Sequence, residues 1–127
     1  ACYLTGHDYN PQGVTREEAF TLLDKLHATG AKSALITSIP VDGQHCVAGY
    51  NHTDGEYFLL DYTEIPVHFP GTGDIFSAVL IGHILNGDKL KTACRKAMDA
   101  VYKLIDLNKA NTDKNQGIPL ERYLDII

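Results

Sequence analysis

The sequence is poor in cysteine, has no clustered basic segment and contains no long apolar run, and each shortage removes a class of protein. Cys2, Cys46 and Cys94 are an odd number without a CxxC pair, which argues against a disulfide framework or a zinc knuckle and makes reduced thiols the default. His45 and Cys46, with His52 and Asp54 after them, fit no standard zinc spacing and read as polar positions on a hairpin, so no metal ligands are expected. The 11 Lys and Arg are scattered among 16 Asp and Glu, a net charge of −5, whereas a nucleic-acid partner calls for a clustered basic face. The longest apolar run, around Ala78 to Leu85, is far below the roughly 20 residues of a membrane span, and no secretory leader pattern is visible. A cytoplasmic protein with neither nucleic-acid nor membrane partners is therefore expected.

What is present fits one ordinary domain. At 127 residues, with 44% hydrophobic and 21% charged, the chain is long enough for one sizeable core and too short for two. Ala1-Cys2-Tyr3-Leu4-Thr5-Gly6 reads as the last turn of a helix closed by Gly6. After a loop over His7 to Val14, Thr15-Arg16-Glu17-Glu18 is a capping box, and Ala19, Leu22, Leu23 and Leu26 fall on one face of the helix it opens, which Gly30 stops. Lys32 to Ile39 is apolar through its middle without alternation, the pattern of a strand buried on both faces inside a parallel sheet. Two further runs, His45–Tyr50 and Glu56–Tyr62, flank a hairpin signal at Asn51 to Gly55.

Asp74–Leu85 reads as a helix ended by Asn86-Gly87, and Asp88 as the cap of another running to about Asn108, with Leu90, Ala93, Cys94, Ala97, Met98, Val101 and Ile105 on one face. Asn111–Gly117 is a polar loop, and Ile118–Ile127 a short closing segment without an assignment. One strand suited to a parallel interior, a hairpin and four helical pieces make an incomplete inventory. The expectation is a C-terminal part of a larger α/β domain.

The chemistry concentrates at Phe69-Pro70-Gly71-Thr72-Gly73-Asp74-Ile75-Phe76-Ser77. Glycines around a threonine at a helix start leave backbone N–H groups converging on one point, an anion site, and Asp74 sets a carboxylate beside it. The bland alternative is a tight turn in which Gly supplies unusual backbone angles and Asp74 complements the helix dipole. No Gly-Lys-Ser/Thr follows, so this is no Walker A loop, and the third glycine of a dinucleotide fingerprint is missing. In the functional reading the N–H groups of Gly71, Thr72 and Gly73 stabilise charge on a transferred phosphoryl group, and Asp74 accepts the proton of an attacking hydroxyl.

Gly71-Thr72-Gly73-Asp74 followed by Ile75-Phe76-Ser77-Ala78, and preceded by Ile36-Thr37-Ser38 at a strand end, resembles the ribokinase-like superfamily and, within it, the pyridoxal (pyridoxine, pyridoxamine) kinases. Sugar kinases of the superfamily usually have Ala at the place of Thr72, and hydroxymethylpyrimidine kinases usually have Cys at the place of Asp74. The opening Ala1 to Gly6 is similar to the residues that follow the family's Asn-x-x-Glu motif. The resemblance implies a three-layer α/β/α fold with a mostly parallel central sheet, of which this chain would be the C-terminal, ATP-binding half. It further implies ATP and magnesium as co-substrate and cofactor, a monovalent cation in some members, a B6 vitamer as acceptor and a homodimer for the whole protein.

Residue by residue, the resemblance implies Asp74 as catalytic base and Gly71, Thr72 and Gly73 as anion hole. Thr37 and Ser38, at the carboxyl end of their strand, would contact the ATP phosphates, while Ile65, Phe69 and Ile105 would wall the adenine pocket. Strand-end hydrogen bonding and core packing are the plain alternatives for these five. The Asn-x-x-Glu carboxylate and the vitamer pocket fall outside this sequence, so the isolated chain is expected to be catalytically dead. A hydroxymethylpyrimidine or sugar kinase, and a non-catalytic nucleotide-binding module, are the competing readings.

Overall fold

A computed structural model describes residues 1–111 and 113–127, in two units, Ala1–Glu64 and Ile65–Ile127. Thr112, within the polar loop expected at Asn111–Gly117, lies outside the described residues.

In the first unit, α1 (Cys2–Thr5) is a single turn that Gly6 closes at φ 65°, the ending its sequence predicts. Helix α2 (Arg16–Ala28) starts on the expected capping box: the Thr15 amide donates to Glu18 at 2.7 Å, and the Glu18 amide donates to the Thr15 hydroxyl at 3.2 Å. Three strands follow, β1 (Ala34–Val41), β2 (Gln44–Asn51) and β3 (Glu56–Asp61), paired antiparallel in the order β1-β2-β3. Ala19, Leu22 and Leu23 of α2 are buried with Ile39, Val41, Cys46 and Ala48 of the sheet, and burying each large apolar side chain stabilises by about 1.5–3 kcal/mol. At the margin of this face the Tyr57 phenol donates to the Asp24 carboxylate, a bond that pushes the tyrosine pKa up to about 12.

The expected parallel interior at Lys32–Ile39 is not what this chain forms. β1 pairs antiparallel with β2, and the single parallel bridge among the described residues, Val14 to Val41, lies on the other side of β1. The cause is local: Asp42 and Gly43, at φ 48° and 80°, are a two-residue hairpin turn with both residues left-handed, and such a turn forces its flanking strands antiparallel. The strand buried on both faces is instead the central one, β2, through Cys46, Val47, Ala48 and Gly49. Pro40, just past the expected run, sits inside β1 opposite His45, a place open to proline because β1 is an edge of this sheet.

Gly49 faces Phe58 across the β2–β3 ladder, and a Cβ there would lie 2.2 Å from a ring carbon of Phe58 and 2.7 Å from Leu35 Cδ2. Its φ is not left-handed, so the need for glycine is purely one of room. Gly49→Ala is expected to lower stability by about 1–3 kcal/mol, the usual cost of overpacking. Denaturant unfolding measures it, and a variant as stable as wild type would show that the ring has somewhere else to go.

In the second unit, α3 (Thr72–Leu85) and α4 (Leu90–Asn108) pack against each other, and two 3-10 turns, Leu120–Arg122 and Leu124–Ile126, close the chain. The buried stripe of α4 is Ala93, Cys94, Ala97, Ala100, Leu104 and Asn108, turned slightly from the expected one so that Met98, Val101 and Ile105 are half-buried flanks. Burial pushes the Cys94 thiol up to about 11. Asp88 does not cap α4, because its carboxylate takes Lys96 Nζ at 2.8 Å and His83 Nδ1 at 3.0 Å, and the Lys96 hydrogen bond holds it below the usual carboxylate range. Helix α3 is apolar on every side, yet none of its residues is buried, and Leu85 is 81% exposed. Among the described residues no helix is long and apolar enough to cross a membrane.

Candidate anion-binding and catalytic site

Phe69 anchors the approach to α3, with 1% of its surface exposed. Past Pro70, Gly71 turns the chain at φ 85°, ψ −1°, left-handed angles that a side chain opposes, and serves as the N-cap with no side-chain capping bond. The helix thus begins at Thr72, two residues before the start expected at Asp74. The Ile75 amide donates to Gly71 O at 3.0 Å, which leaves the N–H groups of Thr72, Gly73 and Asp74 without acceptors inside the helix. As N-cap, Gly71 also has an amide without an acceptor inside the helix, so Asp74 adds its own amide to the expected trio. The Thr72 hydroxyl folds back to donate to Phe69 O at 3.3 Å and staples the turn shut from behind.

Asp74 occupies the first turn of α3 and is exposed. Among the described residues its carboxylate has no hydrogen-bond or ion-pair partner. Gly73 is exposed, and a Cβ built on it meets nothing within 4 Å, so no neighbouring protein atom requires glycine there. Four of the expected site residues, Gly71, Thr72, Gly73 and Asp74, thus form one turn that presents amides and a carboxylate together.

Thr37 and Ser38 are neither at a strand end nor in a regular strand. They form a bulge in the middle of β1, where pairing jumps from Ile36↔Ala48 to Ile39↔Cys46, and Ser38 sits at φ 54°. The jump releases both residues from the ladder, and both are exposed, with Thr37 on an open depression of about 350 Å³ that Leu4 and Leu35 also line. The strand-end expectation fails because β1 continues through Pro40 to Val41. No periodicity signal marks the bulge; a serine held left-handed is visible only in the backbone. Of the expected adenine-wall residues, Phe69 is buried, and Ile65 and Ile105 are half-buried, Ile65 in the loop before the glycines and Ile105 on a flank of α4. Reading from residues also missed Asn108, a polar side chain 2% exposed at the end of the α4 stripe.

Residues 1–119 match the phosphomethylpyrimidine kinase family. The chain belongs to that family. Its relatives there include the pyridoxal kinase of Bos taurus, 30% identical over 119 residues, a match covering 82% of this chain and 38% of that protein. A Bacteroides thetaiotaomicron protein described as a phosphomethylpyrimidine kinase and crystallised with pyridoxal superposes with a TM-score of 0.85 at 31% identity, over 98% of this chain and 44% of that one. Pyridoxal kinase from Lactobacillus plantarum gives 0.76 at 27% identity, again over 98% of this chain and 44% of that one. This member of the family spans about two fifths of the length of the curated relatives it matches. Its fold is of the ribokinase-like α/β class, as expected, and its own three strands are paired antiparallel.

Proposed function

We propose that this family member carries the ATP-binding, base-bearing part of an alcohol kinase of the pyridoxal kinase type, and that the rest of the kinase domain supplies the acceptor pocket. The observation that carries this reading is the start of α3, where three unpaired amides and an unpartnered carboxylate meet in one exposed turn. The Thr72, Gly73 and Asp74 amides donate to the oxygens of the γ-phosphoryl group as charge builds on them, and the helix dipole adds to that attraction. The 5′-hydroxyl of pyridoxal, pyridoxine or pyridoxamine attacks phosphorus in line. An O–P bond forms as the bond to the bridging oxygen of ADP breaks, and the hydroxyl proton passes to the Asp74 carboxylate.

Gly73 is compatible with the reading: no protein atom lies within 4 Å of its Cβ position, so a ligand has room to approach the backbone there. Thr37 and Ser38, freed from the ladder by their bulge, are assigned to the ATP phosphates, and Ile65, Phe69 and Ile105 to the adenine pocket. Magnesium finds no fitting donor set in this chain, because among the described residues no three His, Cys, Asp or Glu side chains cluster, and Asp74 alone is a poor site for it.

The matched family favours a second reading, with a hydroxymethylpyrimidine as acceptor and the same base and amides. Assays of the kinase domain containing this chain, with pyridoxal, pyridoxine, pyridoxamine and hydroxymethylpyrimidine as alternative acceptors, separate the two. Turnover of at least one B6 vitamer is expected, and turnover of the pyrimidine alone would replace the first reading by the second.

A further inference from the structure

The segment after α4 is fixed at both ends on one buried side chain. Asn108 donates to Leu104 O at 2.8 Å and accepts from Asn111 Nδ2 at 2.9 Å and from the Tyr123 hydroxyl at 3.3 Å, so the beginning and end of the segment are tied to the same amide. Between them Asp113 staples a turn, its carboxylate accepting from the Asn115 amide at 3.0 Å and from Gln116 Nε2 at 2.8 Å. The turn ends on Gly117 at φ 74°, whose amide donates to Lys114 O at 3.3 Å. A Cβ on Gly117 would lie 3.3 Å from the carbonyl oxygen of Pro70, the residue directly before the Gly71 N-cap.

We propose that Gly117 is a positioning residue for the anion hole: lacking a side chain, it lets the anchored Asp113–Gly117 turn close against the Pro70 carbonyl and so sets where the amides of Thr72, Gly73 and Asp74 point. The inference rests on the phosphate-binding role proposed above for those amides. With a side chain at 117, either the turn or Pro70 has to give by a few tenths of an ångström. The turn is held internally by Asp113 and flanked by Asn111 and Tyr123, both bonded to Asn108, which leaves Pro70, an exposed residue, as the side that gives. Moving Pro70 rotates Gly71 and with it the open end of α3.

Gly55 provides a matched control, with a similar left-handed φ of 69° but nothing within 4 Å of its Cβ. Gly117→Ala and Gly55→Ala carry similar backbone strain, and Gly117→Asn keeps the added Cβ while relieving that strain, because Asn tolerates left-handed angles. The backbone amide resonances of Thr72, Gly73 and Asp74 are followed by NMR in the 127-residue chain, and ATP affinity by titration calorimetry. Both Gly117 variants are expected to shift those three resonances and to weaken ATP binding by roughly 2- to 10-fold, the range for one lost net hydrogen bond, relative to Gly55→Ala. Resonances matching wild type in Gly117→Asn overturn the proposal. If wild type itself binds no ATP, the phosphate-binding role fails, and the resonances alone then decide whether Gly117 sets the turn.

Discussion

Asp74→Asn is expected to lower turnover by roughly 100- to 10,000-fold, the range for loss of a positioned general base, with ATP affinity unchanged or slightly tightened. The two effects part because, in the proposed mechanism, the carboxylate and the amides do different work. There the amides attract phosphate whether or not the proton has a destination, and the carboxylate, being an anion beside an anion, weakly opposes nucleotide binding. The substitution is readable because Asp74 is exposed and unpartnered, so the fold loses only the favourable charge at a helix N-terminus, about 0.3–1 kcal/mol. Steady-state kinetics of the kinase domain with pyridoxal, paired with calorimetric titration of ATP, checks both halves. Turnover equal to wild type would remove Asp74 from the role of base.

Gly73→Asp is expected to cut ATP affinity at least about tenfold while leaving the fold intact, since like-charge juxtaposition at a binding surface costs several kcal/mol. A side chain at this position enters open space, and an acidic residue suits the first turn of a helix, so the protein itself has no objection. Only a ligand that is negative and close would object. Thermal melting and ATP titration of the same sample decide the matter: an unmelted variant with undiminished affinity would place the phosphates elsewhere.

The parts of the fold set by short-range chemistry were legible in the sequence. Thr15 and Glu18 form the capping box their spacing announces, Gly6 closes α1, and the Asn51–Gly55 hairpin signal joins β2 to β3. What misled was the assignment of partners. The apolar run at β1 looked like a buried parallel strand, while the two residues that settle its pairing, Asp42 and Gly43, lie just past its end. Burial on both faces belongs to β2, whose sequence of His, Cys, Val, Ala and Gly is weaker in hydrophobicity but central in the order of strands.

The candidate site divides the same way. The glycine-rich start of α3 can be read from residue types because the chemistry is that of the backbone at a helix end. Its exact donors could not, since a helix that starts two residues earlier adds the Asp74 amide to those expected. Nor could the Thr37–Ser38 bulge, which depends on register against β2, or the approach of Gly117 to Pro70, two positions far apart in sequence. A hint existed for Asn108, an amide at a position where the α4 periodicity asks for an apolar residue.

Helix α3 has one more consequence. Its side chains are apolar on all sides and none is buried, yet it packs along α4, so melting α3 uncovers the Ala93–Leu104 stripe. The two helices are therefore expected to open together, with backbone amides that exchange hydrogen with solvent at similar rates. The turn that carries the proposed phosphate donors is mounted on this helix pair. How firmly α3 and α4 hold each other thus sets how long those donors stay in place.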